Sequence, residues 1–285
     1  MIASEMTALA ALGEVARAAG AVLLTPPPGS SAISAALQLE EFTSSDYTEA
    51  FVLMAPPHAA IHLGAEGKLG GDALDRVEGL WRALGVTPPV DADHLGVLLM
   101  SWAQLLEDTD PAARRVAYTL LHEHIWPWAP GYLGAVGRLG IPSVTAWSEL
   151  TLQVLHAGLQ QAPMPQLLPA ALRDAPADLT GTIDREDLLD AMVAPIRCGF
   201  VLTQRDVAAG AAQVGLGYRR GERRFALKAM LDQDSHATLR WLAAHSAGWA
   251  DLHETWDGES VTGRWWSERA RATSDALGLV LQGAS

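Results

Sequence analysis

The spacing of apolar residues constrains this chain more than any other feature. From Leu95 they recur at Leu98, Leu99, Trp102, Leu105 and Leu106, which is one stripe of a helix with 3.6 residues per turn. The alternation that marks a half-buried strand is nearly absent, so an all-α fold is expected. Start and stop signals sharpen the pattern. Asp91 or Asp93 can cap the helix that begins at Leu95. Asp110 followed by Pro111 starts the next one, and the Trp126-Pro127-Trp128-Ala129-Pro130 run stops it. Further helices are expected at about 4–20, 31–42, 44–54, 71–84, 143–161, 184–194, 204–213, 221–231, 235–256 and 262–281. Thr203 and Asp206 have the spacing of a capping box. Leu239, Leu242, Ser246, Trp249, His253 and Trp256 keep one heptad-like register. The expectation is a single multi-helix bundle of about 10–12 helices.

Two stretches rich in proline interrupt the helical pattern. Thr25-Pro26-Pro27-Pro28-Gly29-Ser30 separates the first two helices. Residues 162–181, with Pro163, Pro165, Pro169 and Pro176, form the expected hinge. It divides the chain into an N-terminal region, residues 1–165, and a C-terminal region, residues 166–285. Such a hinge would permit a monomer or a dimer that swaps its C-terminal region.

Charge and cysteine usage narrow the function. The formal net charge is -13, which disfavours nucleic acid and an anionic membrane surface as partners and favours a basic peptide. Cys198 is the only cysteine, so no internal disulfide or cysteine-rich metal site can form, in keeping with a reducing cytoplasm. The first residues lack a basic segment and a long apolar run, so no secretion signal is expected. No membrane span is expected either, because no run of about 18 apolar residues is uninterrupted.

Several clusters invite a chemical reading. His122-Glu123-His124 places its rings on opposite sides of a helix, a poor metal geometry, and a helix-end pair is the plainer reading. His58 and His62, four apart, would need a third metal ligand; two rings lining a groove is the simpler account. Gly64, Gly67, Gly70 and Gly71 match neither a P-loop nor a dinucleotide fingerprint, and read as a turn with left-handed backbone before a helix. Asp93-His94 could orient an imidazole for general-base work, but no nucleophile signature accompanies it, and capping explains the pair equally. Arg219-Arg220-Gly221-Glu222-Arg223-Arg224 is a basic cluster in an acidic protein, read as a solvated face or a docking point. No catalytic set, metal or cofactor is expected.

Five segments resemble the TorD/DmsD family of cytoplasmic chaperones for molybdenum-cofactor oxidoreductases. They are Asp46-Tyr47-Thr48-Glu49-Ala50-Phe51-Val52, Pro57-His58-Ala59-Ala60-Ile61-His62-Leu63 with Leu69-Gly70-Gly71, Pro89-Val90-Asp91-Ala92-Asp93-His94-Leu95, His124-Ile125-Trp126-Pro127-Trp128-Ala129-Pro130, and Pro195-Ile196-Arg197-Cys198-Gly199. The likeness is strongest over about 40–135. Where the family carries tyrosine and a second aromatic ring, this chain has His58 and His62. The Glu-Pro of the family's hinge is Asp91-Ala92 here.

The resemblance implies a TorD-like, non-catalytic all-α protein. It would bind the twin-arginine leader, or the body, of an apo-molybdoenzyme catalytic subunit and delay its export until the cofactor is inserted. A receptor for such a leader needs an apolar groove with acidic residues at one end. Tyr47, Phe51, His58, His62, Leu63 and Trp102 would supply the groove, and Asp91, Asp93 and His94 the polar end. Pro57, Gly70, Leu98 and Trp126 complete the expected peptide-binding set. Two alternatives stay open: a metal-dependent hydrolase built on His58, His62, His94 and His124, and a nucleotide-regulated adaptor using Gly64–Gly71.

Overall fold

A computed structural model describes residues 2–163, 165–179, 184–258 and 260–283, with side chains from residue 7 to residue 282 among them. Among the described residues there are sixteen α-helices, two π-helical segments and no strand. Twelve expected segments are helical. The four additional helices are α4 (Ala59–Leu63), α8 (Ala129–Gly137), α10 (Ala170–Arg173) and α12 (Pro195–Cys198). Three of these are too short to show a sequence period. The fourth, α8, takes Pro130 into its first turn, where the missing N–H costs nothing, so the prolines that end one helix also begin another.

The helices fall into two compact units. Unit 1 comprises Met1–Ala60 and Gly70–Pro169, and unit 2 comprises Ile61–Leu69 and Ala170–Ser285. Met164 and Thr180-Gly181 of the expected hinge lie outside the described residues. Its remainder includes α10, which buries Ala171 and Leu172.

In unit 1, α1 (Ile2–Leu24) lies along α6 (Leu95–Glu107) and also meets α9 (Pro142–Gln161), on which α8 packs. The approach of α1 to α6 depends on a reciprocal pair of glycines. A Cβ on Gly20 would sit 2.8 Å from the Gly96 carbonyl oxygen, and one on Gly96 would sit 2.9 Å from that of Gly20. Beneath this contact Leu98, Leu99, Trp102 and Trp147 have no exposed surface, and the Trp147 indole N–H donates to Ala19 O at 3.1 Å. Within α1, Thr7–Leu24 is long and apolar enough to cross a membrane by length and composition, despite Glu14 and Arg17. Its face carrying Ala16, Ala19, Val22 and Leu23 is instead buried in unit 1, and Arg17 pairs with Glu107 of α6, as in a core helix of a folded unit. The remaining helices of unit 1 are α2 (Ser31–Ala36), α3 (Ser44–Tyr47), α5 (Asp72–Ala83) and α7 (Pro111–Thr119). The two π-helical segments, Thr48–Met54 and Leu120–Ile125, follow α3 and α7.

In unit 2, α15 (Ser235–Asp257) and α16 (Val261–Gly283) form a long helical hairpin beside α11 (Arg185–Met192), α13 (Gln204–Gln213) and α14 (Arg223–Gln233). Of the expected register on α15, Leu239, Leu242, Ser246, Trp249 and His253 form a buried stripe and Trp256 is half-buried. His253 stacks on Trp266 with centroids 5.7 Å apart, and Ser246 Oγ donates to Ala270 O at 2.7 Å. The capping box at Thr203 and Asp206 is formed, with Asp206 N–H donating to Thr203 Oγ1 at 3.1 Å.

Candidate functional site

Two of the expected motifs meet at one corner of unit 1. His58 N–H donates to Pro56 O at 3.0 Å, closing a tight turn about Pro57, and His58 pairs with His94 as an isolated antiparallel bridge. Leu95 N–H donates to Pro57 O at 2.8 Å, and Ala59 N–H donates to Asp93 O at 3.0 Å. These backbone bonds fix the start of α4 against the start of α6.

Asp93 is the buried centre of the corner, only 3% exposed. Its Oδ2 accepts the Ala60 N–H at 2.9 Å, and its Oδ1 lies 3.3 Å from His58 Nδ1. Asp93 therefore caps α4, whereas sequence spacing had it or Asp91 capping α6. The cap of α6 is His94, whose Nδ1 accepts the Gly96 N–H at 3.0 Å. The acid also orients His58 rather than its chain neighbour His94. Backbone geometry explains both corrections: the extended residue before a helix aims its own side chain at the first turn and leaves the preceding carboxylate to face the other way.

The electrostatics follow from these partners. Burial pushes the Asp93 carboxyl up, but the hydrogen bonds from His58 and Ala60 N–H, with the His58 charge, outweigh it and hold the carboxyl below its usual value. Burial, and then the neighbouring His58 charge, push the His94 imidazole down to about 4 against the pull of Asp91 and Asp93. A neutral His94 is what its capping role requires, because protonated Nδ1 could not accept the Gly96 N–H. The two rings stand edge to face, with centroids 4.9 Å apart.

An apolar rim adjoins the pair. Gly96 lies against both His94 and Leu24, and Leu24 is partly exposed at the end of α1. Tyr47 Oη donates to Leu23 O at 2.6 Å, and its ring meets Phe51 edge-on at 5.4 Å. The capping box formed by Thr43 and Asp46, which sequence spacing did not single out, fixes α3 just before Tyr47. Val52 and Leu53 on the π-helical segment face solvent, as does Val90 beside the exposed Asp91. Asp91 adopts a left-handed backbone with φ 51°, which an aspartate tolerates better than most residues.

The expected set thus separates by exposure. Pro57, His58, Asp93 and His94 are in direct contact beside Asp91, while Tyr47 and Phe51 pair with each other and with Leu23 and Trp147. Leu98 and Trp102 have no exposed surface, and Trp126 has almost none. His62 and Leu63 are buried on α4. Gly70 stands apart in the connection to α5, with φ 81° and nothing within 4 Å of a Cβ placed on it.

The other clusters have structural partners. His122 and His124 lie on the second π-helical segment, where His124 O accepts the Trp128 indole N–H at 2.9 Å. Burial, then the Arg76 charge, push His124 down to about 4. Cys198 is fully buried, and burial pushes its thiol up to about 12, outside the range of a reactive nucleophile. Among the described residues no group of three or more His, Cys, Asp or Glu is placed to hold a metal ion, which weighs against the hydrolase alternative.

No curated protein and no solved structure matches the chain. Residues 4–133, less than half of the 285, match the family model described as Nitrate reductase delta subunit. The matched stretch contains the whole His58–Asp93–His94 corner.

Proposed function

We propose that this protein is a cytoplasmic chaperone of molybdoenzyme maturation that binds the twin-arginine leader of an apo-oxidoreductase subunit at the corner of unit 1. The observation that supports this reading is the contact of His58 with the Asp93–His94 turn next to the exposed Val90 and Asp91, within the stretch that matches the family model. A leader of this class offers two adjacent guanidinium groups and then an apolar segment. Leu24, Val52, Leu53 and Val90 suit the apolar segment.

The acidic residues divide the work. Both Asp93 oxygens already have partners, so Asp93 positions the corner. Asp91, exposed and one turn of loop away, is the carboxylate an incoming arginine would meet. In its neutral form His58 donates Nδ1–H to Asp93 and keeps Nε2 as an acceptor for the same arginine pair. Leu98, Trp102 and Trp126 support the face from below. The client-binding motifs are assigned to the N-terminal region, residues 1–165.

Calorimetry with a synthetic leader peptide tests this reading. We expect saturable binding that weakens with salt and weakens further when the arginine pair is changed to two glutamines. Binding that ignores both changes would reject a charge-read leader site.

A further inference from the structure

A second candidate site lies within unit 2, outside the residues matched by the family model except for one loop. A cavity of about 570 Å³ is walled by the loop Ala65–Lys68, the end of α11, Arg197 of α12 and the start of α14 at Glu222–Arg224. That volume falls within the range of small-molecule sites, about 300–1,000 Å³. The loop wall depends on Gly67, whose φ is 62°. A Cβ there would lie 2.6 Å from Val193 O, so only glycine lets the loop close this tightly on the α11–α12 turn.

The charges around the cavity are not equivalent. Lys68 pairs with Glu66 at 3.0 Å, Arg197 with Asp187 at 2.7 Å, and Arg224 with Glu186 at 2.7 Å and with Asp190. Arg223 differs from all three. It is part-buried, and of its five N–H donors one has an acceptor, Nη1 to Leu202 O at 2.7 Å. Glu222 and Asp206 act on it only at longer range, and burial lowers its pKa. No nitrogen of Arg223 is both buried and unpaired, so its remaining donors open onto the cavity, where a carboxylate can replace water with charge-assisted hydrogen bonds.

We propose that this cavity binds a ligand through a single carboxylate, received by the planar fork of Arg223. The carboxylate belongs to a small organic acid or to a peptide chain end, which share this chemistry. A polyphosphate does not fit the same walls. Glu66, Asp190 and Glu222 also face the cavity, and the other cations are already paired, so one negative charge is matched and three or four are repelled.

The test is titration of the full chain with four probes at constant ionic strength: succinate, a hexapeptide with a free C-terminus, the same peptide as its C-terminal amide, and GTP. Calorimetry gives the affinity, and the Arg223 Nε–Hε resonance reports the site. The expected result is saturable binding by succinate or by the free-terminus peptide, with the Arg223 resonance shifted and the amide and GTP silent. Succinate binding alone assigns a small acid; peptide binding alone assigns a chain end. Arg223→Gln should weaken binding at least tenfold, and so should Val193→Phe, which fills the cavity and leaves the guanidinium in place. Arg220→Gln, outside the cavity, should bind as wild type does. No saturable binding below about 10 mM, a range that would correspond to under 3 kcal/mol, overturns the proposal. An Arg223 resonance that stays fixed in wild type, or GTP binding more tightly than either carboxylate, overturns it too, whether or not the variants fold.

Discussion

The corner of unit 1 and the cavity of unit 2 each withdraw one charged side chain from water, and they do so in opposite ways. Asp93 is almost fully buried, yet a backbone amide and an imidazole satisfy its two oxygens. Arg223 is less buried, yet a single carbonyl answers its whole fork. Burial alone would rank Asp93 as the more functional charge. Counting partners reverses the order. A buried charge whose partners are complete holds a structure in shape, while one whose donors open onto a cavity is poised for a ligand. For the same reason the exposed Asp91, rather than Asp93, is the acid available to a cationic peptide.

The sharpest break between the two regions is in stability. Asp93→Ala should strand the Ala60 amide and the His58 ring N–H, and cost about 2–4 kcal/mol by urea denaturation. Arg223→Met should cost less, about 1 kcal/mol, since it removes one hydrogen bond to the Leu202 carbonyl and a charge that lacks a carboxylate partner. Equal losses in the two variants would erase the distinction.

A pH series sharpens the unit 1 side. His94 has an ordinary value near 6.5 when unfolded and is held down to about 4 when folded. The unfolded chain therefore takes up the proton first as the pH falls. Stability is complete above about 6.5 and is lost on the way to about 4, by roughly 3 kcal/mol for such a shift. His124 adds a loss of the same sign in the same window. His94→Asn, which keeps a side-chain cap on α6, should remove the His94 share and leave that of His124. An acid limb identical to wild type would mean His94 does not titrate as described.

The smallest effect is expected at the exposed acid. Asp91→Asn should weaken leader affinity about 3- to 10-fold at low salt, mostly through slower association, with the difference fading as salt is raised. An affinity unchanged at low salt would remove Asp91 from the interface.

The long helices were legible from apolar spacing because each buries one face for several turns, as α6 and α15 do. Caps with a fixed offset were legible too, at Asp110-Pro111 and Thr203–Asp206. What escaped was local geometry without a period. The π-helical segments carry no distinct sequence repeat, and α4, α10 and α12 are a single turn or little more. At the corner, the sequence placed His58, Asp93 and His94 together through a resemblance, but not which acid meets which imidazole. That pairing is set by the chain reversal at Asp91, a left-handed residue with no glycine to announce it. The unit 2 cavity was beyond reach for another reason. Its walls come from residues near 67, 193 and 223, and only the glycines and the arginine run stood out on their own.

Hydrogen exchange measured by mass spectrometry, with and without a twin-arginine leader peptide, tests the chaperone reading most directly. We expect the peptide to slow exchange in segments 47–60 and 88–98, and to slow it less in Asp91→Asn at the same peptide concentration. Protection confined to other segments, or no protection at a peptide concentration that saturates binding, would contradict it.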